Sequence, residues 1–89
     1  MDAICPVCGF DGLETTPWSG PTPSLEICPS CGTQFGYDDA SGGDPVARVA
    51  THKTLRQRWI AGGMSWSSTR RAPAGWDPAQ QLLRVSRHS

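Results

Sequence analysis

Two pairs of cysteines are the residues of this chain best suited to chemistry. They share one local frame, Cys5-Pro6-Val7-Cys8-Gly9 and Cys28-Pro29-Ser30-Cys31-Gly32, and nineteen residues separate Cys8 from Cys28. Two Cys-x-x-Cys turns at this spacing supply two edges of the tetrahedron that Zn²⁺ adopts in structural sites. Proline fixes its own backbone angle and shapes the turn so that following amides can aim at the first sulfur. Glycine after the second cysteine tolerates the positive φ that curls the chain round a metal. Amides aimed at thiolates would spread their negative charge. No histidine or water-binding ligand lies within the frame, so the expected shell is closed and structural rather than catalytic. The reading is one structural Zn²⁺ held by Cys5, Cys8, Cys28 and Cys31. Rubredoxin-type iron uses the same four thiolates and stays open as the metal. Two disulfides or a thioredoxin-like pair are the other uses of such cysteines, but the second wants a βαβ setting and no second pair.

The compartment bears on that choice. The start, Met-Asp-Ala-Ile-Cys-Pro, has no basic segment and no apolar run, so no secretory signal is expected. No apolar stretch approaches membrane-spanning length, so no membrane partner is expected. The expected setting is a bacterial-style cytoplasm, where thiols stay reduced.

The elements that must position these cysteines are few. A chain of 89 residues with ten glycines and eight prolines builds only a thin core, and small folds of that kind need a staple. Ile4, Leu13, Leu25, Ile27 and Phe35 are too few to fold the first segment unaided. Between the pairs, Thr16-Pro17-Trp18-Ser19-Gly20-Pro21-Thr22-Pro23 reads as a breaker of regular structure. Short strands are expected near Leu13–Thr15, Leu25–Ile27 and Gln34–Tyr37. Asp44-Pro45 reads as a helix start, with the helix running to about Ile60 or Ala61 and stopping at Gly62-Gly63. On that helix Val46, Val49, Ala50, Ile60 and Ala61 share one face, while Leu55 and Trp59 lie on the other beside Arg48, His52 and Arg56. Asp77-Pro78 repeats the start signal and predicts a short helix to about Val85, with residues 86–89 fraying. The expected architecture is a small α+β metal-stabilised domain. It comprises a zinc ribbon over residues 1–43, short antiparallel strands with two knuckles. A helical extension over residues 44–89, one main helix and a short C-terminal one, packs on the ribbon.

Net charge is zero, yet its distribution is lopsided. Asp2, Asp11, Glu14, Glu26, Asp38, Asp39 and Asp44 fall in the first half, which has no Lys or Arg. Arg48, Lys53, Arg56, Arg58, Arg70, Arg71, Arg84 and Arg87 fall in the second, against the single acid Asp77. Four thiolates and one Zn²⁺ would add about −2 to the acidic half. Zinc ribbons commonly bind nucleic acid, but an acidic ribbon repels phosphates, so only the Arg48–Arg87 half could bind a strand. The opposing expectation is that the basic helix packs on the acidic ribbon and cancels both fields.

Weaker features point to structure. His52 reads as a packing or surface histidine. Asp38, Asp39, Ser41 and Asp44 lack the terminal Glu of a calcium loop and read as a solvated turn plus a helix cap. Trp18, Trp59, Trp66 and Trp76 read as clamps on a thin core before base-stacking platforms. No paired carboxylates with a nucleophile, no Gly-rich phosphate loop and no Ser–His pairing stand out, so no enzyme is expected.

The two Cys-Pro-x-Cys-Gly turns, with Leu25-Glu26-Ile27-Cys28-Pro29 and Asp38-Asp39, resemble the cysteine-rich CPCC family of small, mostly bacterial, zinc-ribbon-like proteins. The resemblance covers about the first half and implies a metal, a ribbon fold and the ligands Cys5, Cys8, Cys28 and Cys31. It implies no activity. This chain has Val7 where the family's name-giving motif carries a further cysteine. The functional expectation is a structural zinc-binding module acting as a protein-interaction adaptor, self-association included. Nucleic-acid binding through the basic half is the alternative, and a thiol redox sensor the third.

Overall fold

The structure, a computed structural model, describes residues 3–86; of the fraying expected over residues 86–89 only Ser86 is described, as the last residue of a helix, and the charges of Asp2 and Arg87 lie outside the described residues. The first regular element is a two-residue antiparallel hairpin, β1 (Trp18–Ser19) with β2 (Thr22–Pro23), in the register Trp18 opposite Pro23 and Ser19 opposite Thr22. Gly20 turns the chain with a φ of 58°, which a two-residue connection requires. An antiparallel bridge joins Ile27 to Gln34 between the hairpin and the acidic loop. A 3₁₀ turn, Ser41–Gly43, then leads into α1 (Pro45–Ala61), and α2 (Pro78–Ser86) closes the chain.

Both helices begin where local chemistry dictates. Asp44 accepts from the Val46 amide at 2.9 Å ahead of Pro45. Asp77 accepts from the amides of Ala79 and Gln80 ahead of Pro78. Each carboxylate satisfies amides that the first turn leaves without intrahelical partners. At the end of α1, Gly62 keeps a negative φ of −81° and Gly63 takes the positive one, 96°.

The strands lie elsewhere than the sequence suggests. The paired segments sit inside the Thr16–Pro23 cluster, read as a breaker, rather than near Leu13–Thr15, Leu25–Ile27 and Gln34–Tyr37. Near Leu13–Thr15 the reason is a side chain. Glu26 takes the amides of Glu14 and Thr15 at 3.0 and 3.2 Å, groups that a neighbouring strand would otherwise bind. The other two segments meet in a single Ile27–Gln34 bridge, with Phe35 N donating to Glu26 O at 3.1 Å and Gln34 Nε2 to Leu25 O at 3.3 Å, too little to make a strand pair.

The core gathers Cys5, Val7, Cys8, Phe10, Leu13, Cys28 and Phe35, with Leu55 and Trp59 of α1 and Trp66 packed against it. The face of α1 that reads as apolar points away: Val46, Val49, Ala50, Ile60 and Ala61 are exposed. The mixed face, with Arg48, His52, Leu55, Arg56 and Trp59, lies on the first half instead. That reversal is tolerable because each polar side chain it buries finds compensation, His52 and Arg56 by hydrogen bonds and Arg48 by an aromatic face.

Candidate metal centre

The two cysteine turns are built alike. Cys5 N donates to Phe10 O at 2.8 Å and Gly9 N to Cys5 O at 2.9 Å; Cys28 N donates to Thr33 O at 2.9 Å and Gly32 N to Cys28 O at 2.8 Å. Gly9 and Gly32 take φ values of 85° and 81°, the left-handed conformation expected after each second cysteine. Gly9 is further constrained, since a Cβ there would collide with the Gln81 carbonyl.

Facing one another, these turns place all four Sγ atoms within 4.8 Å of each other. Cys5 Sγ lies 3.8 Å from Cys31 Sγ, and Cys8 Sγ lies 3.7 Å from Cys28 Sγ. A tetrahedron with metal–sulfur bonds of about 2.3 Å has an edge of about 3.8 Å, so the donor set fits a four-thiolate metal. All four cysteines are free, and sulfurs this far apart are well beyond the roughly 2.05 Å of a disulfide. Cys5, Cys8 and Cys28 are fully buried.

Such crowding is electrostatically uncomfortable without a cation. Burial pushes the Cys5 thiol up, and hydrogen bonding with Cys31 does the same to Cys28. The Cys31 thiol is drawn down by hydrogen bonds from Cys28 and Cys5. A divalent cation removes that conflict, because every sulfur then binds as a thiolate. The Thr33 hydroxyl stands 3.3 Å from Cys31 Sγ, placed to donate once that thiolate forms.

Residues from the second half hold the backbone of both turns from outside. Arg56 Nε donates to Val7 O at 2.8 Å and its Nη2 to Pro6 O at 2.9 Å. Gln81 Nε2 donates to Cys8 O at 3.2 Å and to Ser30 Oγ at 2.9 Å, joining the two turns. Arg84 Nη1 donates to Gly9 O at 2.8 Å. On the second turn the amides of Ser67 and Ser68 donate to Pro29 O at 3.1 and 2.8 Å. Packing of basic on acidic half thus runs mainly through main-chain carbonyls. Arg84 also meets Asp11 at 3.2 Å, but that pair is well exposed and weak.

No family model matches this chain. Nor does any curated protein or solved structure.

The remaining residues singled out in the sequence separate cleanly. His52 is buried, and its Nε2 donates to Asp39 Oδ2 at 2.6 Å, far from any role as a fifth ligand. Asp39 corrects the solvated-turn reading: it is fully buried and also accepts from Trp18 Nε1 at 2.9 Å and from Gly36 N at 2.6 Å. Burial alone would raise its carboxyl, but donation from His52, Trp18 and Gly36 outweighs that and holds it below the usual carboxylate value. Asp38 accepts from Gln34 N, and Asp44 caps α1, as a turn and cap should. Arg48 lies 3.5 Å over the Trp18 ring, and its buried Nε has no hydrogen-bond partner among the described residues.

The four indole N–H groups all donate within the chain: Trp18 to Asp39, Trp59 to Ser65 O, Trp66 to Arg70 O and Trp76 to Gln81 Oε1. Trp66 stacks edge-on against both Phe10 and Trp76, with ring centroids 5.5 and 5.1 Å away. Gln81 is the important residue that the sequence reading passed over, and Arg56, read there only as a charge on the mixed face, holds the first cysteine turn. For Gln81 the available signal was its place on α2 three residues before Arg84 and four before Val85, on one helical face.

Proposed function

We propose that this chain is a zinc ribbon, like the CPCC proteins it resembles, whose Cys5, Cys8, Cys28 and Cys31 hold one structural Zn²⁺ so that the surface can engage a protein partner. The carrying observation is a group of four sulfurs at tetrahedral spacing, made of cysteines alone, three of them fully buried and Cys31 half-buried. Such a shell keeps no position for substrate, which supports a structural rather than a catalytic ion. The adaptor role draws support from apolar side chains that the fold leaves outside, Leu25, Ile27 and Tyr37 in the first half and Val46, Val49 and Ile60 on α1. No helix of the described residues is long and apolar enough to cross a membrane.

A second reading, nucleic-acid binding, draws on one observation: the side chains of Lys53, Arg58, Arg70 and Arg71 make no hydrogen bond or ion pair among the described residues. Against it, the four tryptophans are half-buried and each indole N–H is already engaged within the chain. The test is binding of the metal-loaded protein to short single- and double-stranded DNA and RNA as salt is varied. No binding at low salt supports the adaptor. Micromolar binding that falls steeply with salt and vanishes on replacing Arg58, Arg70 and Arg71 overturns it. Metal content by mass spectrometry, together with the visible bands of the Co²⁺-substituted protein, decides the ion and its tetrahedral thiolate shell.

A further inference from the structure

Between α1 and α2, above the first cysteine turn, lies a cleft of about 380 Å³. Its charged rim is Lys53 and Arg56 from α1 and Arg84 from α2; its apolar wall is Pro6, Val49 and Val85. We propose that this cleft takes an acidic, apolar peptide segment of a protein partner, a carboxylate meeting the rim and an aliphatic side chain entering the wall. The proposal rests on the adaptor reading and names its surface.

Three permanent cations from two helices converge on one opening, a concentration of charge that favours an anion. Two of them are held in place. Arg56 is fixed by the carbonyls of Pro6 and Val7, and Arg84 by that of Gly9, so little side-chain freedom is lost when a ligand arrives. Arg84 also meets the Asp11 carboxylate at 3.2 Å, an exposed pair that screens it only weakly, and Lys53 adds its charge from α1. Lys53 is exposed and makes no other contact through its ammonium among the described residues, so it can follow the ligand. His52 backs the cleft but is tied to Asp39, which keeps that buried carboxylate behind the imidazole.

The apolar wall decides between anions. A phosphate offers nothing to Pro6, Val49 and Val85, whereas a Glu or Asp beside a Leu or Ile matches both parts of the cleft. The wall also continues outward: Val49 is exposed, as is Val46 one turn earlier on α1. A peptide can therefore extend from the cleft along the helix, which a small anion cannot. Charge complementarity and this continuity select an acidic peptide as occupant.

The experiment uses the zinc-loaded full chain and a fluorescein-labelled peptide of alternating Leu and Glu, followed by fluorescence anisotropy. Controls are the same peptide with Gln for Glu, inorganic phosphate as competitor, and a single-stranded oligonucleotide. The expected result is saturable binding that the Gln peptide lacks and that salt weakens. Lys53→Glu should weaken it about tenfold or more, while Arg58→Glu, outside the cleft, changes it less than about twofold. Unchanged metal content and far-UV dichroism certify that both variants fold. Equal binding of the Glu and Gln peptides, equal loss in both variants, or full displacement by millimolar phosphate overturns the proposal. Failure with the peptide but no oligonucleotide binding sinks this cleft and leaves the adaptor reading standing. Oligonucleotide binding in place of peptide binding sinks both.

Discussion

His52 Nε2 lies 2.6 Å from Asp39 Oδ2, and both residues are buried where α1 meets the acidic loop. The pair ties the helix to the hairpin as well, because the same oxygen of Asp39 accepts from the Trp18 indole. Replacing Asp39 by Ala orphans the His52, Trp18 and Gly36 donors at once. The expected cost is about 3–5 kcal/mol in urea unfolding, far above that of Asp38→Ala in the same loop.

The same carboxylate predicts a pH dependence with a definite sign. Its native pKa lies below the ordinary Asp value of 3.8, so the unfolded chain binds its proton more readily than the folded one. The stabilisation is complete above that ordinary value and disappears as pH falls through the lower native one. Acid also releases a thiolate-bound metal, so the measurement is a difference: wild type minus Asp39→Asn, in urea midpoint. That difference should be constant at neutral pH and shrink below about pH 4.

Metal removal should unfold the first half. Structural zinc contributes on the order of 10 kcal/mol of apparent folding free energy near neutral pH, more than the thin core of Val7, Phe10, Leu13 and Phe35 can replace. A strong chelator should erase near-ultraviolet dichroism and amide dispersion, and re-addition of Zn²⁺ should restore both. Retention of native amide dispersion after chelation would refute a metal-dependent fold. Cys8→Ser should show the same loss at sub-stoichiometric metal.

Arg56 and Arg58 provide a matched pair. Arg56 donates two hydrogen bonds to the first cysteine turn, whereas the Arg58 side chain makes none among the described residues. Arg56→Met should cost about 2 kcal/mol of stability. Arg58→Met should stay within about 0.5 kcal/mol. Equal effects in thermal or urea unfolding would show that the carbonyl contacts do not hold the turn.

Gly9 and Gly20 form another pair, both at positive φ. At Gly20 an added Cβ meets nothing within 4 Å, so Gly20→Ala bears only the backbone strain, about 1 kcal/mol. At Gly9 the Cβ strikes the Gln81 backbone carbonyl, and α2 must move. Gly9→Ala should therefore destabilise markedly more and expose Trp76, visible as a red shift in fluorescence.

These contrasts explain which parts of the molecule the sequence could reveal. The cysteine turns and both helix starts were legible because each is decided within four or five residues: a frame of Cys, Pro and Gly, or an Asp ahead of Pro. The orientation of α1 was not. Its polar face turned inward because Val7 and Pro6 present carbonyls and Asp39 presents a carboxylate, groups supplied from up to fifty residues away. The strands failed for a similar reason, since Glu26 replaces a neighbouring strand by binding two amides with its side chain. Asp39 looked solvated because two of its three donors, Trp18 and His52, lie 21 and 13 residues away and meet it only in the fold.

Acidic side chains here mostly bind backbone amides, at Glu26, Asp38, Asp44 and Asp77, while Arg56 and Arg84 bind backbone carbonyls. Charges used this way remain charges. A chain of zero formal net charge and a sequence pI near 6.7 therefore keeps both signs of charge on its surface. Opposite charges on two molecules can then attract at short range. Because four thiolates and one Zn²⁺ add about −2, the metal-loaded protein should be least soluble below its sequence pI of 6.7 in dilute buffer, and modest salt should raise that solubility.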